Sequence, residues 1–179
     1  MSDLSGKTVA IIVGDFVEEP ELLEPRDRLR EAGATVRVYS TSGEPVQAVQ
    51  GDTEPTQKVE VDGTLDDVDP AAIDALVVPG GTVNADRLRI DEKAQDLVRQ
   101  VQERKLPLAV ICHGPWLLVS SGLARGRRLT SFETLADDVR NAGGTWIDEE
   151  VVVDGNLITS RNPDDIPAFL KAIEDALTA

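Results

Sequence analysis

Apolar positions recur along this chain in two rhythms. Unbroken runs rich in branched residues, "KTVAIIVG", "IDALVVPGG" and "LPLAVIC", predict strands buried on both faces. Between them, "PELLEPRDRLREAG" carries Leu22, Leu23 and Leu29 at helical spacing and stops at Gly33. "DEKAQDLVRQVQERK" turns Ala94, Leu97, Val98 and Val101 to one side. Pro25 falls inside the first of these helices, either in its first turn or at a kink. "ATVRVYS" alternates and predicts another strand. Residues 41–57 hold no period and predict a loop, and "KVEVDGTL" a short strand or extended connection. "GPWLLVSSGL", "TLADDVRNAGG" and "PDDIPAFLKAIEDALTA" predict helices. "VVVDGNLITS" predicts a hairpin turning at Asp154-Gly155, with room for a third turn residue.

Strand runs separated by helices indicate βαβ units. The expected fold is α/β, a mostly parallel sheet with helices on both faces, because crossovers in such sheets are right-handed. Residues 1–179 are long enough to bury a real core and are expected to form one domain. Ligands in open sheets of this kind bind at the carboxyl ends of the strands. Three stretches fall there: "GDFVEEPE", "PGGTVNAD" and "CHGP".

Composition narrows the partners. The net charge is −15, with the acid spread along the chain. Such a surface repels phosphate backbones and anionic lipid, so neither nucleic acid nor membrane is an expected partner. The apolar runs are far shorter than the roughly 20 residues that span a bilayer. No cleavable leader is legible in "MSDLSGKTVAIIV", and one cysteine forms no internal disulfide, so a cytoplasmic protein is expected.

That cysteine, Cys112, stands beside the sole histidine, His113, between a predicted strand and a predicted helix. A sharp strand-to-helix turn is the setting of a nucleophile elbow. Gly114 suits the tight turn and Pro115 the first helical turn. Unpaired N–H groups at the helix start favour a thiolate and lower its pKa. A free cysteine also packs well as a small buried hydrophobe, and the neighbouring His, Gly and Pro weigh towards function. No second histidine follows, so a downstream His–Glu pair cannot be built and a histidine partner must be His113 itself. Glu18, Glu19, Glu21 and Glu24 crowd after the first strand. One of them, partly desolvated near the sulfur, would keep its proton and serve as general acid or base. Residue chemistry alone leaves open which. Gly80-Gly81 would let backbone N–H groups approach a ligand, one of them pairing with an elbow N–H as an oxyanion hole. Trp116, one turn beyond, is expected to fill the core. One Cys and one His adjacent on the chain cannot supply a usual zinc ligand set, and no nucleotide-binding glycine motif occurs, so neither metal nor cofactor is expected.

Taken together, "VEEPELLEP", "ALVVPGGTVN", "AVICHGPWLL" and "VVVDGNLITSRNPDDIPAF" resemble the PfpI family of intracellular cysteine proteases or amidases, within the class I glutamine amidotransferase-like superfamily, which includes deglycase and redox stress proteins. The resemblance implies a flavodoxin-like three-layer sandwich with Cys112 as nucleophile. It implies that Glu18 is the protonated carboxyl bonded to sulfur, that His113 is the family histidine, and that Gly81 and His113 donate to the oxyanion. Glu21 becomes a structural acid. In protease members a further acid from a neighbouring subunit orients the histidine. Asp86 is the nearest acid here, one residue later than the usual spacing. A homo-oligomer is implied, with a small carbonyl compound or a peptide as substrate. The expected activity is hydration of 2-oxoaldehydes or deglycation of amines, the alternatives being peptide hydrolysis and redox sensing or chaperone-like holding without turnover.

The acid density also fits adaptation to high salt, since like charges repel most at low ionic strength. Adaptation of that kind predicts a melting temperature that climbs from low to molar salt, and thermal denaturation with no such gain removes the idea.

Overall fold

The computed structural model describes residues 2–179. Its elements, in chain order, are β1 (Thr8–Val13), β2 (Val17–Glu18), α1 (Glu19–Glu31), β3 (Thr35–Ser40), β4 (Val46–Gln50), β5 (Glu54–Val59), β6 (Gly63–Thr64), β7 (Ala75–Val78), α2 (Thr82–Leu88), α3 (Glu92–Glu103), β8 (Leu108–Ile111), α4 (Pro115–Ser121), β9 (Arg128–Leu129), α5 (Ala136–Asn141), β10 (Thr145–Trp146), β11 (Val151–Asp154), β12 (Leu157–Ser160) and α6 (Ile166–Thr178). Seven strands form the central sheet in the order β11-β12-β8-β7-β1-β3-β6. All neighbours run parallel except the β11–β12 pair. This is the expected flavodoxin-like α/β sandwich.

The two-sided burial follows from strand geometry. Successive side chains point to opposite faces. Along β1, Val9, Ile11 and Val13 enter one apolar cluster, with Leu22 and Leu29 of α1 and Phe169 and Ile173 of α6. Ala10 and Ile12 enter the other, with Leu97 and Val98 of α3 and Leu117 and Leu118 of α4. Every residue of β7 and β8 is buried, which is why these strands read as continuous apolar runs. Local chemistry sets the helix ends. The Asp91 side chain accepts from the N–H groups of Lys93 and Ala94 and starts α3.

Three local expectations change. Residues 41–57 are not all loop: β4 and β5 pair antiparallel and join β2 in a small three-stranded ribbon. Their period was hidden because the register shifts between Gln47 and Val49, and because β5 is exposed from Glu54 to Lys58 and so has no apolar face to display. The β11–β12 turn is Gly155-Asn156, since Asp154 pairs with Leu157. Pro25 lies inside α1, where its missing N–H leaves the Glu21 carbonyl without its helical donor.

Phe169 is fully buried between α6 and the sheet. Phe169→Ala is expected to cost about 3–5 kcal/mol through lost burial and a residual cavity, read as a lower urea midpoint at unchanged slope.

Candidate active site

The carboxyl ends of β1, β7 and β8 converge on one sulfur. Cys112 follows β8 and has a left-handed backbone, φ 63°. A non-glycine residue there is strained by about 1–3 kcal/mol. It is held from both sides: its N–H donates to Ser160 O (3.1 Å), and its carbonyl accepts from Phe132 N–H (2.7 Å). Gly114 makes the turn possible, since a Cβ there would stand 2.9 Å from Ile111 O and 3.0 Å from Val78 O. The chain then enters α4 at Pro115. The result is a strand–turn–helix elbow with the side chain raised over the sheet ends.

Glu21, on the first turn of α1, is the carboxyl that meets the sulfur. It is fully buried. Its Oε2 accepts Gly80 N–H at 2.7 Å, Oε1 is buried without a hydrogen-bond partner, and the carboxyl neighbours the Cys112 thiol. Burial raises its pKa to about 8, outweighing the Gly80 N–H that favours the charged form. At pH 7 Glu21 is therefore a neutral acid. Gly80 permits the approach, since a Cβ on it would lie 2.6 Å from Glu21 Oε2 and 2.7 Å from Cys112 Cβ.

Glu18 is corrected by this geometry. The resemblance made it the sulfur's partner, but both its oxygens turn the other way. Oε1 accepts Gly51 N–H (2.8 Å) and Oε2 accepts Asp52 N–H (3.0 Å) in the β4–β5 turn. The physical reason is where α1 begins. Glu18 is the extended residue before the helix, at φ −65° and ψ 117°, so its side chain leaves towards the ribbon, and Glu21, within the first turn, points inward. Glu19 and Glu24 stay away from the sulfur; Glu24 is exposed.

The thiol pKa is corrected as well. Burial pushes Cys112 well above the ordinary thiol value, and an ionised Glu21 would push it further. Among the nearby groups Gly81 N–H, which donates to the sulfur, works in the other direction. Cys112 is only 4% exposed. In the resting chain it is a thiol.

His113 Nδ1 lies 3.2 Å from Sγ and its Nε2 lies 3.3 Å from Thr82 Oγ1. Desolvation lowers its pKa, so at pH 7 the ring is neutral. A neutral ring whose Nδ1 accepts from the thiol carries its proton on Nε2 and donates to Thr82. The ring is stacked on Phe132, centroids 4.7 Å apart, and meets the Trp116 edge at 5.4 Å. Trp116 is thus half-buried against the histidine and does not fill the core as expected. Its Nε1 donates to Asp138, and the Arg89 guanidinium covers its ring. Asp86 is exposed on α2 and makes no hydrogen bond to the His113 of its own chain.

Three residues at the site carry no signal in the sequence. Asn84, fully buried, accepts from Gly14 N–H and donates to Pro79 O and Gly80 O, locking the β1 and β7 ends together. Thr82 and Asp52 form the far side of the histidine, with Thr82 N–H donating to Asp52 Oδ1 at 2.7 Å. The glycine pair and "VNAD" were visible, but the short helix that contains "VNAD" was not. Gly81 (φ 88°) is needed on two counts, since a Cβ would also strike Phe16 O at 2.5 Å.

The DJ-1/PfpI family pattern matches residues 7–176. The chain belongs to the DJ-1/PfpI family. It is 43% identical to deglycase TK1284 of Thermococcus kodakarensis, over 91% of this chain and 95% of that one. It is 39% identical to protein/nucleic acid deglycase 2 of Escherichia coli, over 91% and 93%. DJ-1beta of Drosophila melanogaster superimposes with a TM-score of 0.87 at 30% identity, covering 100% of this chain and 92% of that one. The relatives named deglycases support an enzyme of the DJ-1/PfpI class.

This DJ-1/PfpI chain holds a separate concavity of about 730 Å³ between α1 and α6, but its walls, including Leu23, Ile166 and Leu170, contain none of the groups around the sulfur. Among the described residues no helix is long and apolar enough to cross a membrane.

The raised Glu21 pKa has a consequence for stability. Folded, Glu21 keeps its proton up to about pH 8; unfolded, it loses it near 4.5. The native state binds the extra proton between these values, so stability falls as pH rises through that window, by about 1.4 kcal/mol per unit at most from this group. Glu21→Gln is expected to flatten the decline, measured by urea unfolding at pH 6 and pH 8, below the range where the thiol titrates.

Proposed function

We propose that this protein is a cysteine-dependent enzyme acting on small reactive carbonyls, by hydration of 2-oxoaldehydes or removal of their adducts from amines. The observation that carries the reading is a closed trio. The thiol stands between the imidazole, 3.2 Å away, and the Glu21 carboxyl, with Cys112 4%, His113 5% and Glu21 0% exposed. Burial disfavours the charged form of all three.

The steps follow from these positions. Sγ attacks the aldehyde carbon, and its proton passes to His113 Nδ1. A C–S bond forms, the carbonyl π bond breaks, and the oxygen takes the negative charge. We assign the backbone N–H groups of Gly81, which faces the sulfur, and of His113 as the donors to that oxygen, since among the described residues neither donates to a backbone carbonyl. The oxygen regains a proton to give a hemithioacetal. In a 2-oxoaldehyde, moving hydrogen from that carbon to its neighbour produces a thioester. Glu21, beside the sulfur, is the acid able to relay that proton. Water then releases a 2-hydroxy acid and restores the thiol, for a net addition of one water. In an amine adduct, the C–S bond forms as the C–N bond of the hemiaminal carbon breaks, and the amine leaves with the proton that Sγ gave to His113.

The burial of the sulfur favours a small carbonyl over a peptide, whose flanking residues need an open groove. The names of the deglycase relatives point the same way. Wild type is expected to consume methylglyoxal and a glycated amino acid and to leave a fluorogenic peptide intact. Cys112→Ala is expected to lose about a thousandfold or more of the carbonyl turnover. Equal turnover by both proteins would sink the reading.

A further inference from the structure

Asp52 stands at the tip of the β4–β5 ribbon with a left-handed backbone, φ 66°. A non-glycine residue keeps that conformation only when its surroundings impose it. Here Glu18 imposes it. A carboxylate only 5% exposed takes both turn amides, Gly51 N–H and Asp52 N–H, in charge-assisted bonds. Held this way, Asp52 Oδ1 accepts Thr82 N–H at 2.7 Å, and Thr82 Oγ1 faces His113 Nε2 at 3.3 Å. A continuous run of contacts therefore leads from Glu18 to the histidine without leaving the chain.

We propose that Asp52 is the positioning acid of His113, acting through Thr82 and held in place by Glu18, so that the Cys–His pair is completed within one chain. The proposal rests on the reading of Cys112 as nucleophile and His113 as its base. When Sγ passes its proton to Nδ1, one S–H bond breaks and one N–H bond forms; nothing is oxidised or reduced. The ring becomes an imidazolium whose Nε2–H points at Thr82, with the Asp52 carboxylate behind it. The other faces of the ring meet Phe132 and Trp116, which carry no charge. Asp52 is the one charged group bearing on His113, and it favours the protonated ring. It also opposes the thiolate, but there it is the weakest of several influences, behind burial and Glu21. Asp52 reaches the ring side through Thr82 and makes no hydrogen bond to the sulfur. The role that the resemblance gave to an acid of a neighbouring subunit is filled from the ribbon.

The test uses the fact that the chain has one cysteine and one histidine. Iodoacetamide labelling followed by intact mass reads Cys112 alone, and the imidazole nuclear magnetic resonance signals read His113 alone. Asp52→Asn keeps an oxygen for Thr82 N–H and removes the charge. It is expected to slow labelling at pH 7 by about threefold or more, and to move the His113 midpoint to lower pH. The titratable groups around that ring are Cys112, Glu21 and Asp52, and only the last is altered. Asp52→Glu is expected to recover most of the rate. Labelling at the wild-type rate or faster, with an unmoved histidine midpoint, overturns the proposal. Should the Asn variant not fold, Thr82→Val removes the hydroxyl between acid and ring and leaves the ribbon untouched. It is expected to slow labelling and shift the Nε2 signal, and an unchanged signal overturns the proposal equally. Labelling needs no carbonyl substrate, so a wild type without turnover would defeat the functional reading and leave this test standing.

Discussion

The left-handed turn at Cys112 is the constraint on which the site depends. An L-residue does not adopt φ 63° without cost, and here two backbone hydrogen bonds, to Ser160 and from Phe132, offset it. The first exists because β12 pairs with β8 in the sheet, and the second comes from the segment that follows β9. The turn raises the sulfur above the strand ends and sends the next residue, His113, back towards it. Adjacent side chains in an extended or helical chain would not meet in this way. Here Nδ1 and Sγ are 3.2 Å apart.

A second constraint is the near absence of water. Burying a charge costs far more than burying a neutral polar group. A carboxyl, a thiol and an imidazole placed in one closed pocket therefore settle into their neutral forms, and the directions of all three pKa values agree with that state. Against the thiolate expected at the helix start, burial among Glu21, Gly80 and Gly81 pushes the thiol up, and α4 is only seven residues long. The pocket therefore favours neutral groups that exchange protons over a stored anion.

Outside the pocket, the small ribbon gives Glu18 its own task. Its carboxylate fixes a strained turn and places Asp52 over the start of α2. Two glutamates three residues apart thus serve different layers of the site, one against the sulfur and one against the ribbon. Asn84 ties these layers to the sheet by satisfying three backbone groups at the ends of β1 and β7.

The sequence by itself determined the layers and the elbow. Alternate residues of β1 feed two apolar clusters, so a continuous run such as "VAIIV" can only be a strand covered on both sides. Cys112-His113-Gly114-Pro115 likewise carries its turn in its own residue types, because a glycine and a proline limit what the backbone can do there. The ribbon was not legible, since an exposed strand broken by a bulge leaves no periodic trace. Nor was the choice between Glu18 and Glu21. They lie one helical turn apart, and a shift in where α1 begins would exchange their directions. Only the tertiary structure decided that start, the burial that keeps Glu21 and Cys112 protonated, and the approach of Asp52 from 30 positions before Thr82. Local patterns set which way a chain can turn; desolvation and long-range contact depend on what the rest of the chain brings alongside.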